Sequence, residues 1–316
     1  MKLNIKIIFF LFLLYRLFIK KKNKIENFQK KKIYFLRSHY GKDSFFCDLN
    51  QLWGPDIDAE FIKEILFDYE YNSFDLDNLP SETVDVLAYS SNNYNIDDIL
   101  YAIKILKPKV LLHLSDENGE RQKFEDIIFP KVNLVYRQYR FNKFKNPKNQ
   151  KILPLGYHCW DENYPKISKP AFDRKYIWSF IGTPKGNRKE YLSELDIIKP
   201  NFYGVTNREE NLEIYQNSIF VFCPIGNTNV ECSRQYTASM NGCIPFLLCN
   251  DEVWNETYKH FDIIPPWLHS SNINDLIKII RNLLNNPNEI VELQKKTLKW
   301  WKDIKFEIKK NIDKNI

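Results

Sequence analysis

Short apolar runs alternate along this chain with longer stretches in which apolar side chains return every three or four positions. In the first half the short runs are Ile33–Arg37 (IYFLR), Val84–Tyr89 (VDVLAY), Lys109–Leu114 (KVLLHL), Val132–Tyr136 and Lys151–Leu155. In the second half they are Tyr176–Ile181 (YIWSFI), Phe202–Val205, Ser218–Cys223 (SIFVFC) and Cys243–Leu248 (CIPFLL). Their length, and the near-continuous apolar character of the strongest, predict strands buried on both faces. The longer stretches predict helices over Ala59–Tyr69, Ile96–Leu106, Asn207–Gln216, Asn229–Asn241, Ile273–Leu284 and Glu289–Lys309, with another reaching Leu195. Gly242 suits a left-handed position closing the fourth of these. Strands alternating with helices predict an α/β protein built on parallel sheets.

A stretch from about Asn146 to Arg174, rich in Pro, Lys, Asn and Asp, divides the pattern into two halves. The 316 residues suffice for two domains. The expected units are a membrane anchor and basic stem (1–32), a first Rossmann-like domain (33–155), a second Rossmann-like domain (156–290) and a closing helix (291–316). That last helix is expected to pack back across the first domain.

Residues Ile5–Ile19 are apolar except for Lys6, Tyr15 and Arg16. The core, Ile7–Tyr15, is short against the roughly 20 residues of a full span, but Lys6 and Arg16 can snorkel to the two interfaces. A lysine run follows in place of a small-residue cleavage site, which favours an uncleaved signal-anchor, with the membrane as a partner through residues 5–19. The heavier positive charge after the apolar run argues for a cytosolic body.

Charge is concentrated there too. Of the net +6, residues 1–32 supply +9, from ten Lys/Arg and one acid, so the remaining chain carries −3. A basic folded body that would take nucleic acid as a partner is not indicated. The six cysteines form no C-x-x-C pair and no zinc-type spacing. Cys223, Cys243 and Cys249 lie in or beside apolar runs, as small buried side chains do.

Candidate chemistry clusters at predicted strand ends, where ligands gather in open α/β sheets. Ser218–Cys223 runs into a loop with Pro224 and Gly226, then a helix carrying Glu231 and Arg234 on one expected face. A helix N-terminus with an arginine favours an anion such as a diphosphate. Tyr176–Ile181 leads into Gly182-Thr183-Pro184-Lys185-Gly186-Asn187-Arg188, a glycine-containing turn ending in a cation. In the first half, Ile33–Arg37 leads to His39 and Gly41. Lys109–Leu114, containing His113, delivers Ser115, Asp116 and Glu117. There a carboxylate either caps the next helix or acts as a general base toward a sugar hydroxyl. Arg137 and Arg140 leave another strand, as solvated charges or as contacts to an anionic acceptor. Asp56-Ile57-Asp58 and Asp75-Leu76-Asp77 mimic a metal-binding D-x-D, but neither follows a predicted strand, and no metal site is expected.

The run Cys223-Pro224-x-Gly226, Glu231-Cys232-x-Arg234-x-Tyr236-x-Ala238, Gly242-x-Ile244-Pro245 resembles the donor-binding segment of exostosin-like (GT47-type) glycosyltransferases, above all the ribitol xylosyltransferase branch. The resemblance implies a GT-B-like fold with two Rossmann-like domains facing a cleft. It implies a UDP-linked sugar donor, inversion at the anomeric carbon and no obligatory cofactor. It further implies a glycan or glycoprotein acceptor and a Golgi or ER lumenal body. Gly182 and Arg188 match a loop beside the donor phosphates. Pro224, Gly226, Glu231 and Arg234 belong to the donor segment. The family carries an acid for the ribose hydroxyls where this chain has Thr237, so either Glu231 substitutes or donor use is altered or lost. The alternative function is a nucleotide-sugar- or glycan-binding protein of the same fold without catalysis.

Overall fold

The computed structural model describes residues 30–36, 55–157, 169–226 and 229–316. His39 and the apolar segment 5–19 lie outside the described residues. Among the described residues no helix is long and apolar enough to cross a membrane.

The chain forms two α/β domains, each around a parallel sheet. The first sheet has six strands in the order β2 (Glu70–Phe74), β1 (Lys32–Leu36), β3 (Val86–Ser90), β4 (Val110–Leu114), β5 (Leu134–Arg137) and β6 (Gln150–Ile152). The second has five, in the order β11 (Leu268–Ser270), β10 (Ile244–Leu248), β9 (Ser218–Cys223), β7 (Tyr176–Ile181) and β8 (Asn201–Gly204). Counted within each domain, the first sheet runs 2-1-3-4-5-6 and the second 2-1-3-4-5, orders that place a topological switch point between first and third strands. In the second domain that point lies between β7 and β9, paired in parallel through Trp178 and Phe220.

Central strands are buried on both faces: every residue of β3, β4 and β9 is buried. Two strands escape the apolar pattern. β2 (EYNSF) is an edge strand with its residues half-buried or exposed, so Asp75-Leu76-Asp77 does directly follow a strand, contrary to expectation; β11 is a three-residue edge strand. An edge needs fewer apolar positions, so neither stands out by periodicity.

Helices α1 (Pro55–Ile65), α2 (Ile96–Leu106), α3 (Lys123–Ile127), α4 (Arg188–Leu195), α5 (Arg208–Gln216), α6 (Ser233–Met240), α7 (Asp251–Tyr258), α8 (Ile273–Leu284) and α9 (Pro287–Asn315) complete the two domains. Asn250-Asp251-Glu252 follows β10 and opens α7, and the Asn250 side chain caps it by accepting from the Val253 N–H at 2.8 Å. Helix α6 starts four residues later than its apolar spacing suggests. The Gly226 N–H donates to the Asn229 carbonyl at 2.8 Å and the Glu231 N–H to the Asn229 side chain at 2.9 Å, so this segment closes a loop. Its other end is a Schellman closure: Gly242 at φ 66° lets the Cys243 N–H reach the Ala238 carbonyl at 2.9 Å.

Helix α9 starts in the second domain and ends on the first. Trp301 stacks on Phe61 of α1 with ring centroids 5.4 Å apart, and the Tyr69 hydroxyl donates to Asp313 at 2.8 Å. Asn311 donates to Tyr136 at 3.2 Å and to Asp262 at 3.1 Å, while Tyr136 donates to Asp262 at 2.6 Å. One apolar cluster therefore runs from the first sheet through Phe61, Trp300 and Trp301 to Tyr236 and Val221 of the second domain.

Candidate active site

At the switch point, the loops leaving β7 and β9 lie side by side. Gly182, directly after β7, has φ 148°, and a Cβ there would lie 3.0 Å from Nη2 of Arg234. A side chain at this position would displace the guanidinium, so glycine admits the arginine. Arg234, in the first turn of α6, donates from Nε to the Ile181 carbonyl at 3.0 Å and lies 4.7 Å over the Phe180 ring. Arg188, the first residue of α4, donates to the Ile225 and Gly226 carbonyls at 2.9 and 3.0 Å. It thereby ties the turn after β7 to the loop after β9, in which Pro224 is buried.

The two arginines are close enough to feel each other. Burial first, and then the charge of Arg234, pull Arg188 below the usual guanidinium range. Neither makes an ion pair with a carboxylate among the described residues. Burial opposes the Arg234 cation too, but its neighbours Cys232, Tyr215 and Cys223 outweigh it and hold Arg234 above the usual range, with Cys232 Sγ accepting from Nη1 at 3.4 Å. The strain of the pair therefore falls on Arg188, and a doubly negative ligand relieves it.

From the first domain Glu117, half-buried just beyond β4, approaches the loop after β9. Its Oε1 lies 3.9 Å from where a Cβ on Gly226 would sit. The preceding Ser115 and Asp116 both occupy the left-handed region, at φ 67° and 75°. Such a pair is costly without glycine, and hydrogen bonds over-determine it here. Gln138 accepts from the Ser115 N–H at 2.8 Å, and Asp116 accepts from the Glu120 and Arg121 N–H groups at 2.7 and 3.2 Å.

The other residues expected on the acceptor side are core residues. Asp116 is 1% exposed and paired with the Arg137 guanidinium; its oxygens serve the loop and that cation, which is the capping role. Burial raises its carboxyl, against the pull of Arg137. Arg137, read as a solvated charge or an acceptor contact, is neither. It is fully buried, pairs also with Glu125 at 3.4 Å, and lies 3.6 Å over the Phe144 ring. His113 is likewise fully buried. Its Nδ1 is 2.8 Å from the Tyr89 hydroxyl, Phe124 and Phe129 wall the ring, and burial drives its pKa well below the usual value. Of the two carboxylates read as candidate bases, Glu117, not Asp116, lies against the second domain's loop after β9, while Arg140 donates to the Phe141 carbonyl and Asn146 within the first domain.

Glu231 does not share a helical face with Arg234, because it precedes α6. Its Oε1 accepts from the Leu155 N–H of the first domain at 2.8 Å and from the Tyr236 hydroxyl. Thr237, where the resemblance expects an acid, is 3% exposed inside α6. The crossing at Leu155-Gly156-Tyr157 falls within the stretch expected to join the two domains, but its contact with Glu231 was not among the expectations. Gly156, at φ 76°, lies so flat on Phe61 that a Cβ would approach its ring to 2.3 Å. A glycine just past a short apolar run was the available signal. Among the described residues no group of three or more His, Cys, Asp or Glu side chains is placed to hold a metal.

No family model matches the chain, and no curated protein matches it in sequence. Solved structures do resemble it. One is an alpha-glucosyltransferase in complex with UDP and a 13-mer DNA containing an HMU base. It is 10% identical, with a TM-score of 0.49 over 90% of this chain and 99% of that one. Another is an alpha-glucosyltransferase in complex with UDP-glucose and DNA containing an abasic site. It is 11% identical, with a TM-score of 0.46 over 86% of this chain and 94% of that one. At these identities and scores the likeness assigns neither family nor activity.

Proposed function

We propose that this protein is a glycosyltransferase that moves a sugar from a UDP-linked donor to a hydroxyl of a glycan or glycoprotein, with the two domains in a GT-B-like arrangement. The observation that carries the reading is the meeting of Arg188 and Arg234 beside Gly182 at the second sheet's switch point. The donor diphosphate rests against these guanidiniums. As the acceptor oxygen bonds to the anomeric carbon, the bond from that carbon to the phosphate oxygen breaks, and the electron pair leaves with the diphosphate. The arginines stabilise the charge that develops there, an effect worth about 3 kcal/mol per well-placed donor in comparable sites. Glu117, on the opposite wall, takes the proton of the acceptor hydroxyl, which fits inversion. The short exostosin-like run from Cys223 to Pro245 supports the same donor class. An anchor at residues 5–19 and a lumenal body belong to this reading.

Calorimetry with UDP, and donor turnover with UDP-xylose, UDP-GlcNAc and UDP-glucuronate, test it. Binding of UDP that is lost in Arg234→Ala is the expected result; no binding of UDP or any of these donors overturns it. The buried Thr237 and the occupied Asp116 favour a second reading, a nucleotide-sugar-binding protein without transfer. That protein would bind donor yet release no UDP with any acceptor.

A further inference from the structure

The loop between Gly226 and α6 carries a carboxyl group that the anion site does not use. Glu231 is 2% exposed. One oxygen, Oε1, serves both the Leu155 N–H and the Tyr236 hydroxyl. The other, Oε2, is buried without a hydrogen-bond partner among the described residues. The chain it grips is itself pinned: Gly156 lies on Phe61, and the Tyr157 hydroxyl donates to Glu64 at 3.0 Å. Glu231 therefore joins the interdomain crossing to the segment that opens α6, three residues before Arg234.

We infer that Glu231 is a positioning residue, which holds α6, and with it Arg234, in register with the first domain. The inference deepens the donor-site reading and rests on it for its kinetic part only.

Protonation follows from the surroundings. A buried carboxylate needs donors on both oxygens or a cation nearby, and Glu231 has neither. Facing it are the phenols of Tyr236 on α6 and Tyr258 on α7, both held well above their usual range by burial first. Trp300 and Trp301 of α9 pack over Tyr236 and bring no charge. The Arg234 guanidinium is turned to the Ile181 carbonyl, and Glu64, beyond Tyr157, is paired with Lys305. Burial pushes Glu231 up to about 7, against the opposing pull of the Tyr236 and Leu155 hydrogen bonds. The joined arrangement holds this proton more tightly than a solvated glutamic acid does. It is therefore favoured at low pH and loses that favour as pH rises toward and through about 7.

Hydrogen exchange at the Leu155 amide of the ligand-free full chain, corrected for intrinsic rates, reads the contact directly. In the wild type, protection should fall roughly tenfold between about pH 6 and pH 8, the equivalent of one net hydrogen bond. Glu231→Gln should keep the protection and lose the step, and Glu231→Ala should lose protection at every pH. A step that persists in Glu231→Gln, or full protection in Glu231→Ala, overturns the inference. Should Glu231→Ala not fold, Tyr236→Phe removes a donor to Oε1 and should move the step to higher pH; an unmoved step overturns it equally. In turnover, Glu231→Ala should lower kcat about tenfold with donor KM changed less than about threefold, and a change in KM alone contradicts a positioning role. A chain that binds no UDP sinks the donor reading and leaves the exchange experiment intact.

Discussion

Two strand ends, one in each domain, treat charge in opposite ways. Beyond β4, Asp116 finds Arg137 and Arg137 finds Glu125, all within the first domain and all buried. Beyond β7 and β9, Arg188 and Arg234 meet with no carboxylate partner among the described residues. Both ends look alike as sequence: a short apolar run, then polar and charged residues. The difference lies in where the counter-charge comes from. A strand end that supplies its own is a structural joint, and one that lacks it is disposed to bind a ligand.

The sharpest way to break this contrast is Arg137→Ala. It leaves Asp116 and Glu125 buried without their cation, and stability should fall by about 3–5 kcal/mol in denaturant unfolding. Little change in the midpoint would show that the first domain's charges are not a joint.

Glu231 offers a third case, a buried carboxyl with no cation at all. Its pKa of about 7 lies above the ordinary 4.5, so the folded state keeps a proton that the unfolded state releases. Stability should fall as pH rises between these values, by at most roughly 3 kcal/mol, and Glu231→Gln should flatten that dependence. Thermal melts of the two proteins across that range make the comparison.

Arg234→Ala should cost less stability than Arg137→Ala, since it leaves no buried carboxylate without its cation, but should weaken UDP binding by about a hundredfold in calorimetry. A loss of stability like that of Arg137→Ala would make Arg234 structural as well. Gly182→Ala should act in the same direction more mildly, costing about 1–2 kcal/mol in binding because the added Cβ must push the guanidinium aside. Unchanged binding would mean that the close approach of Gly182 and Arg234 is not needed for the anion.

Much of the frame was legible from periodicity. Tyr176–Ile181, Ser218–Cys223, Ile96–Leu106 and Ile273–Leu284 form the elements their apolar spacing predicts, because each buries enough surface to be unambiguous. Edge strand β2 was not legible, since its polar residues satisfy a strand with one neighbour. The meeting of Arg188 and Arg234 follows from a rule of sheet order, so a sequence carries it once the strands are placed. Which of two adjacent acids turns toward the second domain does not. Asp116 turns inward and Glu117 outward because of two left-handed residues and an arginine from the next strand, 21 positions away. Glu231 was misdirected for a similar reason: hydrogen bonds to Asn229 delay the helix, and a delayed helix aims its neighbours elsewhere.

The closing helix has a mechanical consequence. A door on one pin swings in every direction, whereas a door on two pins swings about the line through them. The peptide passes between the domains near Gly156 and again along α9, where Trp301 and Asp313 fasten it to α1 and Tyr69. The two halves are thus fastened at two separate places, near Gly156 and along α9, and a change at either fastening bears on how Glu117 and the loop after β9 are set against each other.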